Sequence, residues 1–491
     1  MVGRSNDWGK YRMGSTASLA PRRRWSALAL IVTAQFMVIL DVAIVNVALP
    51  SIKTDLGFSR TGLQWVITAY AILFGGTLLL GGRLADLLGR RRLFVAGLAL
   101  FAASSLLCGI AWSAPSLIAF RGLQGLGGAL LAPAALSLLM TTFAEGRERN
   151  LALGIYGAAS GSGAAAGVLL GGVLTSYLSW SWIFFVNVPV GLAAIALTPV
   201  LLRESRAELM HRHFDFAGAT TVTGGLMLLV YAMTRAASDG WGSTATVGLL
   251  AASALLLAAF VLVEHRSRSP LLPLRIFRSR TLSAANVTIA IIGAVAFSEF
   301  FVLTLYLQEV LHYSPIRSGV AFSAFAFSVV IASNVAQALV NRVGVRATLS
   351  GGLLASACSV AALSRLPVHG AYFWDLFPAF VVGGAGMGFS FVPVTIASLT
   401  GVDRTDAGVA SGLMNTSRQI GGAIGLAAVS TIAATATHGA GAVALDHGYR
   451  VALYVLTGLL VTGALVAGGA LRTAPQRPQV VEAEPLLEEA A

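Results

Sequence analysis

Four charged residues, Asp41, Arg121, Glu299 and Arg418, lie inside long apolar stretches of this 491-residue chain. If such stretches cross a membrane, each charge costs about 2.5–3.5 kcal/mol on insertion scales, so each needs a functional or structural reason. A buried carboxylate beside an arginine can take up and release a proton as its partner moves, because the arginine stabilises only the ionised form. Asp41, Arg121 and Glu299 are therefore the candidate proton-coupling residues.

The depths of Asp41 and Arg121 indicate that the two side chains could pair. Asp41 lies about eight residues, or roughly 12 Å, before the end of the first apolar run. Arg121 lies about six residues, or roughly 9 Å, after the start of the fourth run. Proton coupling is one interpretation of this pair, and a static ion pair that only stabilises the structure is the other.

Glu299 also allows two interpretations. An unpaired carboxylate that faces a central cavity would attract cationic substrates or carry a second proton. Arg418, about twelve residues into its own apolar run, could instead neutralise Glu299 as its charge partner.

The composition places these residues in a membrane protein. Hydrophobic residues make up 56% of the chain and charged residues only 11%, with a mean hydropathy of +0.79. A helix needs about 20 mostly apolar residues to cross the hydrocarbon core, and lipid leaves no partner for a backbone that is not helical. We find fourteen such runs, at approximately 25–49, 61–82, 92–112, 115–141, 150–176, 180–202, 215–235, 243–263, 281–311, 316–341, 346–366, 371–400, 406–436 and 448–472.

The basic residues orient these spans. With the N-terminus inside, 25 of the 33 Lys and Arg lie in inner segments, 6 lie in outer loops and 2 lie within spans. Basic residues favour the cytoplasmic side, so a basic tail, 1–24, and an acidic tail, 473–491, are predicted to be poorly ordered and cytoplasmic in an inner (plasma) membrane protein. The net charge of +12 is spread over short loops and does not indicate a nucleic-acid partner.

A short repeat divides the chain. Residues 82–93 after span 2 and residues 341–346 after span 10 share a pattern in which Gly89 aligns with Gly344. Eight spans separate the copies, and repeats of this kind place the substrate between the halves near the middle of the membrane. The repeat predicts a six-helix bundle at 25–202, a two-helix insert at 203–280 and a second six-helix bundle at 281–472.

Five motifs follow one another along the spans. They lie at 40–50 (LDVAIVNVALP), 82–92 (GRLADLLGRRR), 121–128 (RGLQGLGG), 182–191 (WIFFVNVPVG) and 410–422 (ASGLMNTSRQIGG). Together they resemble the fourteen-helix drug:proton antiporter branch of the major facilitator superfamily, over about residues 25–472. The resemblance implies an all-α integral membrane protein with the major facilitator fold, and multidrug efflux coupled to protons by alternating access.

The resemblance also implies roles for individual residues. Asp86, Gly89 and Arg90 would belong to an inner gate in the loop after span 2. Leu87 stands where the family pattern has Arg, and Val168 stands where it has Pro. The missing Pro keeps one alternative open, namely proton-coupled symport of a small organic solute. A third interpretation is a non-transporting membrane protein such as a lipid scramblase or a sensor, although the charged residues inside the spans argue against a passive scaffold.

Other residues are predicted to contact substrate or neighbouring helices. Gly163, Gly167 and Gly171 lie four residues apart in span 5, which predicts the close approach of another helix. Aromatic and polar residues on the presumed cavity helices are the candidate substrate contacts: Phe36, Gln124, Phe297, Phe301, Tyr306, Phe391 and Asn415.

The sequence gives little support to an enzyme. It contains no P-loop, zinc-protease motif or plausible nucleophile triad, so the energy for transport must come from a gradient or from a partner. Cys108 and Cys358 stand alone in apolar runs, and we predict neither a metal nor a cofactor. We expect a monomer whose partners are an amphipathic small molecule, protons and membrane lipid.

Overall fold

The computed structural model describes residues 21–143, 147–205, 215–267, 270, 272, 277–368, 370–400, 407–439 and 441–471. This part of the chain is almost entirely helical. Fifteen α-helices follow in order: α1 (Pro21–Leu56), α2 (Arg60–Leu63), α3 (Trp65–Leu88), α4 (Arg90–Gly109), α5 (Ala114–Thr142), α6 (Arg147–Tyr177), α7 (Trp182–Phe185), α8 (Asn187–Leu201), α9 (Phe216–Asp239), α10 (Thr244–Arg266), α11 (Arg280–Leu305), α12 (Pro315–Leu363), α13 (Phe377–Leu399), α14 (Ala407–Ala436) and α15 (Ala442–Ala470).

The helices confirm the predicted spans. Thirteen helical segments in the described residues are long and apolar enough to cross a membrane. One of them, α12, has 49 residues and would be about 74 Å long if straight, more than twice the hydrocarbon thickness. Its backbone breaks at Gly344, where φ is 86° and ψ is 165°. The two arms of α12 are therefore the tenth and eleventh of the fourteen predicted spans.

The break at Gly344 has a counterpart in the first half of the chain. Gly89, with φ 110°, separates α3 from α4. Residues that carry a side chain rarely adopt a φ in this range, so glycine is the residue that allows both helix breaks. The repeat read from the sequence thus corresponds to two helix breaks of the same kind.

The helices pack in two groups. In the first, α1 packs on α6, and α3 and α4 pack on α5; in the second, α11 packs on α14, and α12 packs on α13 and α15. Helices α9 and α10 form a hairpin, and α9 also contacts α3 of the first group and α14 of the second. The division at 25–202, 203–280 and 281–472 stays a prediction.

The two groups meet at the end of the molecule where α1 finishes, which we call the Lys53 end. Lys53 Nζ lies 2.5 Å from Glu309 Oε1, and Tyr449 donates a hydrogen bond of 3.0 Å to Glu309 Oε2. The Gln308 amide also donates to the carbonyl of Val47 over 2.9 Å. Buried apolar residues of both groups form one core around these contacts. The Lys53 end is closed in this conformation.

The chain ends differ in part from their prediction. The tail residues 1–20 and 472–491 lie outside the described residues. Residues 21–24, predicted to belong to the disordered tail, are the first turn of α1. Arg24 contacts Glu148 over 3.1 Å, which ties this turn to the start of α6.

Candidate functional site

Close helix packing builds the site in the first group. A Cβ atom added at Gly125 of α5 would lie 2.4 Å from the carbonyl oxygen of Tyr70 on α3. One added at Gly127 would lie 2.6 Å from the backbone nitrogen of Phe101 on α4. Only glycine permits such approaches, so the glycines after Arg121 bring α3 and α4 against α5.

The glycines of α6 bring α1 to its place. Added Cβ atoms at Gly163, Gly167 and Gly171 would lie 3.1, 2.8 and 2.8 Å from carbonyl oxygens that are four residues apart on α1, those of Phe36, Leu40 and Ile44. The predicted close approach of another helix to this face is therefore confirmed, and the helix is the one that carries Asp41.

Asp41 and Arg121 form the ion pair that their depths predict. Arg121 Nη1 lies 2.6 Å from Asp41 Oδ2, and the two residues are 1% and 0% exposed. Arg121 Nε donates to the carbonyl of Val66 over 2.9 Å, and its guanidinium carbon lies 4.5 Å from the centre of the Tyr70 ring. The charge is thus paired, hydrogen bonded and stacked on an aromatic ring, which offsets the cost of its burial.

Three further polar residues complete the network. Gln124 Nε2 donates to Asp41 Oδ1 over 2.8 Å, and Asn187 Nδ2 donates to the same oxygen over 2.9 Å. Both amides also donate to Ser105 Oγ, each over 3.1 Å. Ser105 and Asn187 were not among the predicted site residues. Asn187 lies in the motif at 182–191, and the signal for Ser105 was a polar residue inside an apolar run.

Glu299 of α11 has a different environment. It is 3% exposed, and its Oε1 has no hydrogen-bond partner in the described structure. The predicted pairing with Arg418 is not formed in this conformation, where Arg418 Nη2 donates to Asn415 Oδ1 over 3.1 Å. A Cβ atom added at Gly293 would touch the backbone of Arg418, so Arg418 lies level with Gly293. Glu299 is a further six residues, or about 9 Å, along α11.

Comparison with known proteins identifies the fold and the family. The family model described as Major Facilitator Superfamily matches residues 31–426. The chain belongs to the major facilitator superfamily. Its solved structural neighbours include a peptide transporter, at TM-score 0.67 and 16% identity over 90% of this chain and 93% of that one. A nucleoside transporter has TM-score 0.65 and 11% identity, over 91% and 100% of the two chains. The chain is a membrane transporter and not an enzyme.

Relatives of higher identity extend over most of the chain. The puromycin resistance protein pur8 of Streptomyces alboniger is 42% identical, over 91% of each chain. The cephamycin export protein CmcT of Amycolatopsis lactamdurans is 41% identical, over 86% of this chain and 87% of the relative. The tetracenomycin C resistance and export protein of Streptomyces glaucescens is 36% identical, over 84% of this chain and 76% of the relative.

The segment after α8 contacts the described part of the predicted inner gate. The side chain of Asp86 lies outside the described residues. The backbone nitrogen of Arg90 donates to the carbonyl of Ser205 over 3.0 Å. Glu204 accepts from the backbone nitrogens of Arg91 and Arg92, over 3.1 and 3.2 Å. Glu204 therefore caps the first turn of α4, a role that sequence analysis missed.

The predicted substrate contacts fall into two sets. Gln124, Phe301 and Tyr306 are at most 3% exposed. Gln124 donates to Asp41 over 2.8 Å, and Tyr306 donates to the carbonyl of Pro367 over 2.8 Å. These three offer no surface to a cavity in this conformation. The other four candidates are half-buried: Phe36, Phe297, Phe391 and Asn415.

Proposed function

We propose that this transporter exports amphipathic organic compounds, including cations, in exchange for protons, by alternating access. The names of the relatives, which include resistance and export proteins for puromycin, cephamycin and tetracenomycin C, support drug efflux. The buried pair of Asp41 and Arg121 carries the proposal of proton coupling, since it is a carboxylate whose stabilising partner lies on another helix. The protein would lie in the inner (plasma) membrane with both termini cytoplasmic.

Asp41 is the proposed proton site. In the conformation closed at the Lys53 end, its carboxylate accepts hydrogen bonds from Arg121, Gln124 and Asn187, which stabilise the ionised form. When the helices of the first group move apart, the carboxylate loses these donors and binds a proton. One proton that crosses a potential of about 100 mV supplies about 2.3 kcal/mol, enough for roughly 50-fold accumulation of substrate.

Glu299 is the proposed second charged site. An ionised carboxylate with an unpartnered oxygen is costly when buried, and a cationic substrate or a second proton would remove that cost. The substrate would bind between the two helix groups, where the half-buried Phe36, Phe297, Phe391 and Asn415 are the candidate contacts.

Proton release from the purified protein tests the proposal. Binding of an amphipathic cation to the wild-type transporter in weakly buffered detergent solution is expected to release about one proton per substrate. Asp41→Asn should abolish both this release and gradient-driven export from proteoliposomes. Asp446→Asn is the matched control, because Asp446 is also a buried aspartate paired with an arginine, with 2.8 Å between its Oδ2 and Arg450 Nε.

Other outcomes would contradict the proposal. If substrate and protons are taken up together, the transporter is a symporter. If substrate binding and proton binding are independent, the protein does not use the proton gradient. If Asp41→Asn exports drug against a gradient at the wild-type rate, Asp41 is not the proton site.

A further inference from the structure

The hydrogen bonds around Asp41 all run in one direction. Oδ2 accepts from Arg121, and Oδ1 accepts from the amides of Gln124 and Asn187. The orientation of the Gln124 amide follows from the network, because its oxygen faces Arg121 Nη1 at 2.6 Å. The described structure therefore surrounds the carboxylate with donors, and it offers no acceptor for the hydrogen of a protonated carboxyl group.

Ser105 sets the direction of the two amides. Its hydroxyl donates its one proton to the carbonyl of Phe184 over 2.9 Å, so the lone pairs of its oxygen are left to accept. Gln124 and Asn187 each donate to that oxygen and to Asp41 Oδ1. If either amide turned over, its oxygen would face the lone pairs of Ser105, and the amide would lose two hydrogen bonds.

The donors come from different helices. Ser105 is on α4 and Asn187 begins α8, whereas Gln124 is on α5 beside Arg121. A Cβ atom added at Gly109 of α4 would touch the ring of Phe185, which shows how closely α4 approaches the junction of α7 and α8. The complete donor set therefore exists only while α1, α4, α5 and α8 are packed as they are here.

We propose that Asn187 and Ser105 are positioning residues that hold Asp41 in its ionised form while the Lys53 end is closed, and so tie proton release to that closure. The proton leaves the Asp41 carboxyl group for the aqueous phase, and the charge that remains is balanced by Arg121. The other titratable groups that face the network are Tyr70, under the guanidinium, and Cys108, whose Sγ lies 3.8 Å from Gln124 Oε1. This inference rests on the proposed function of Asp41.

The test compares two modes of transport in proteoliposomes. Exchange of labelled for unlabelled drug needs no net proton movement, whereas uphill export needs one proton to be released at the correct step. Asn187→Leu removes the two hydrogen bonds that the Asn187 amide donates, to Asp41 and to Ser105. Ser105→Ala removes the hydroxyl that orients the amides of Gln124 and Asn187. Each is expected to lower the protons released per substrate, and the uphill accumulation, about tenfold. Asn187→Leu loses a hydrogen bond to the charged Asp41, and Ser105→Ala lets the two amides turn over and so weakens the hydrogen bonds that they donate to Asp41. Exchange should fall by less than about threefold in both.

Two further variants separate positioning from general damage. Ser105→Thr keeps the hydroxyl and is expected to retain coupling. Ser104→Ala removes the neighbouring buried hydroxyl, which bonds to the carbonyl of Leu100 in its own helix, and should behave as wild type. If exchange and uphill export fall equally in Asn187→Leu and Ser105→Ala, the residues are structural and the inference is wrong.

The failure of this inference is distinguishable from the failure of the proposed function. If Asp41→Asn loses coupling but Asn187→Leu and Ser105→Ala keep the wild-type proton stoichiometry, only the positioning role is refuted. If the wild-type protein itself releases no proton, the proposed function falls, and the inference falls with it.

Discussion

Replacing Gly167 by alanine tests whether the packing of α1 on α6 holds Asp41 in place. The added Cβ atom would lie 2.8 Å from the carbonyl oxygen of Leu40 and 2.8 Å from the Cβ of Ala43. Non-bonded carbon contacts need about 3.5 Å, so α1 must retreat by roughly 0.7 Å or α6 must bend. Leu40 directly precedes Asp41, so the retreat would shift Asp41 relative to Arg121 and disturb their 2.6 Å contact.

The magnitude is set by two opposing effects. Overpacking of a close helix contact costs about 1–3 kcal/mol, whereas a change from Gly to Ala inside a helix gains about 0.8–1.0 kcal/mol. Gly154 provides the matched control, because it lies in the same helix and an added Cβ atom there meets no atom within 4 Å. Gly154→Ala gains helix propensity without the cost of overpacking. Its free energy of unfolding should therefore exceed that of Gly167→Ala by about 1–3 kcal/mol.

The assay combines unfolding with function. Thermal or denaturant unfolding in detergent measures the difference between the two variants, and substrate-induced proton release measures the displacement of Asp41. We expect Gly154→Ala to release protons as the wild type does and Gly167→Ala to release fewer. Equal stability of the two variants, together with normal proton release in Gly167→Ala, would refute the packing that the structure gives to α1 and α6.

Two further predictions concern the other charged sites. Glu299→Gln should lower export of cationic drugs about tenfold and leave neutral drugs unaffected, because an attraction of about 1.4 kcal/mol is lost; an equal loss for both kinds of drug would contradict the cation-binding role. Lys53→Met should remove the ion pair with Glu309, which stabilises the closed Lys53 end by about 1 kcal/mol, and so raise the population open at that end about fivefold. Lys53→Arg keeps the charge and should leave that population unchanged. Labelling of Val47→Cys by a membrane-impermeant thiol reagent, in a background without the exposed Cys358, measures this opening, and unchanged labelling in Lys53→Met would contradict it.

The features that the sequence predicted correctly depend on properties that can be read along each span by itself: its length, the depth of a charge in it and the spacing of its glycines. Length and hydropathy suffice for the fourteen spans, because the membrane requires a fixed length of apolar helix. The pairing of Asp41 with Arg121 followed from depth, since a buried charge needs a partner at its own level. The glycine face of α6 followed from the spacing of Gly163, Gly167 and Gly171.

What could not be predicted depends on how helices are rotated relative to one another. Uncharged polar residues are frequent inside spans, so the sequence gives no reason to single out Ser105. Asn187 lies in the motif at 182–191, but the motif does not show that its amide faces Asp41. The predicted contact between Glu299 and Arg418 required two helices in one register, and the packing at Gly293 fixes another. The cap that Glu204 places on α4 joins the first turn of that helix to the segment after α8, more than 100 residues further along the chain.

The two helix groups share a backbone repeat but not a charge pattern. Gly89 and Gly344 both break helices at positive φ. Yet Asp41 is surrounded by donors, whereas one oxygen of Glu299 has no partner among the residues that the structure describes. Burial of an unpaired carboxylate is costly, and that cost is recovered by any cation that reaches it. On the proposed mechanism, closure of the Lys53 end assembles the donors around Asp41 and releases its proton. A drug cation that binds at Glu299 stabilises this closed conformation and so favours release of the proton from Asp41. The two sites therefore need no direct contact, because one conformational change controls the occupancy of both.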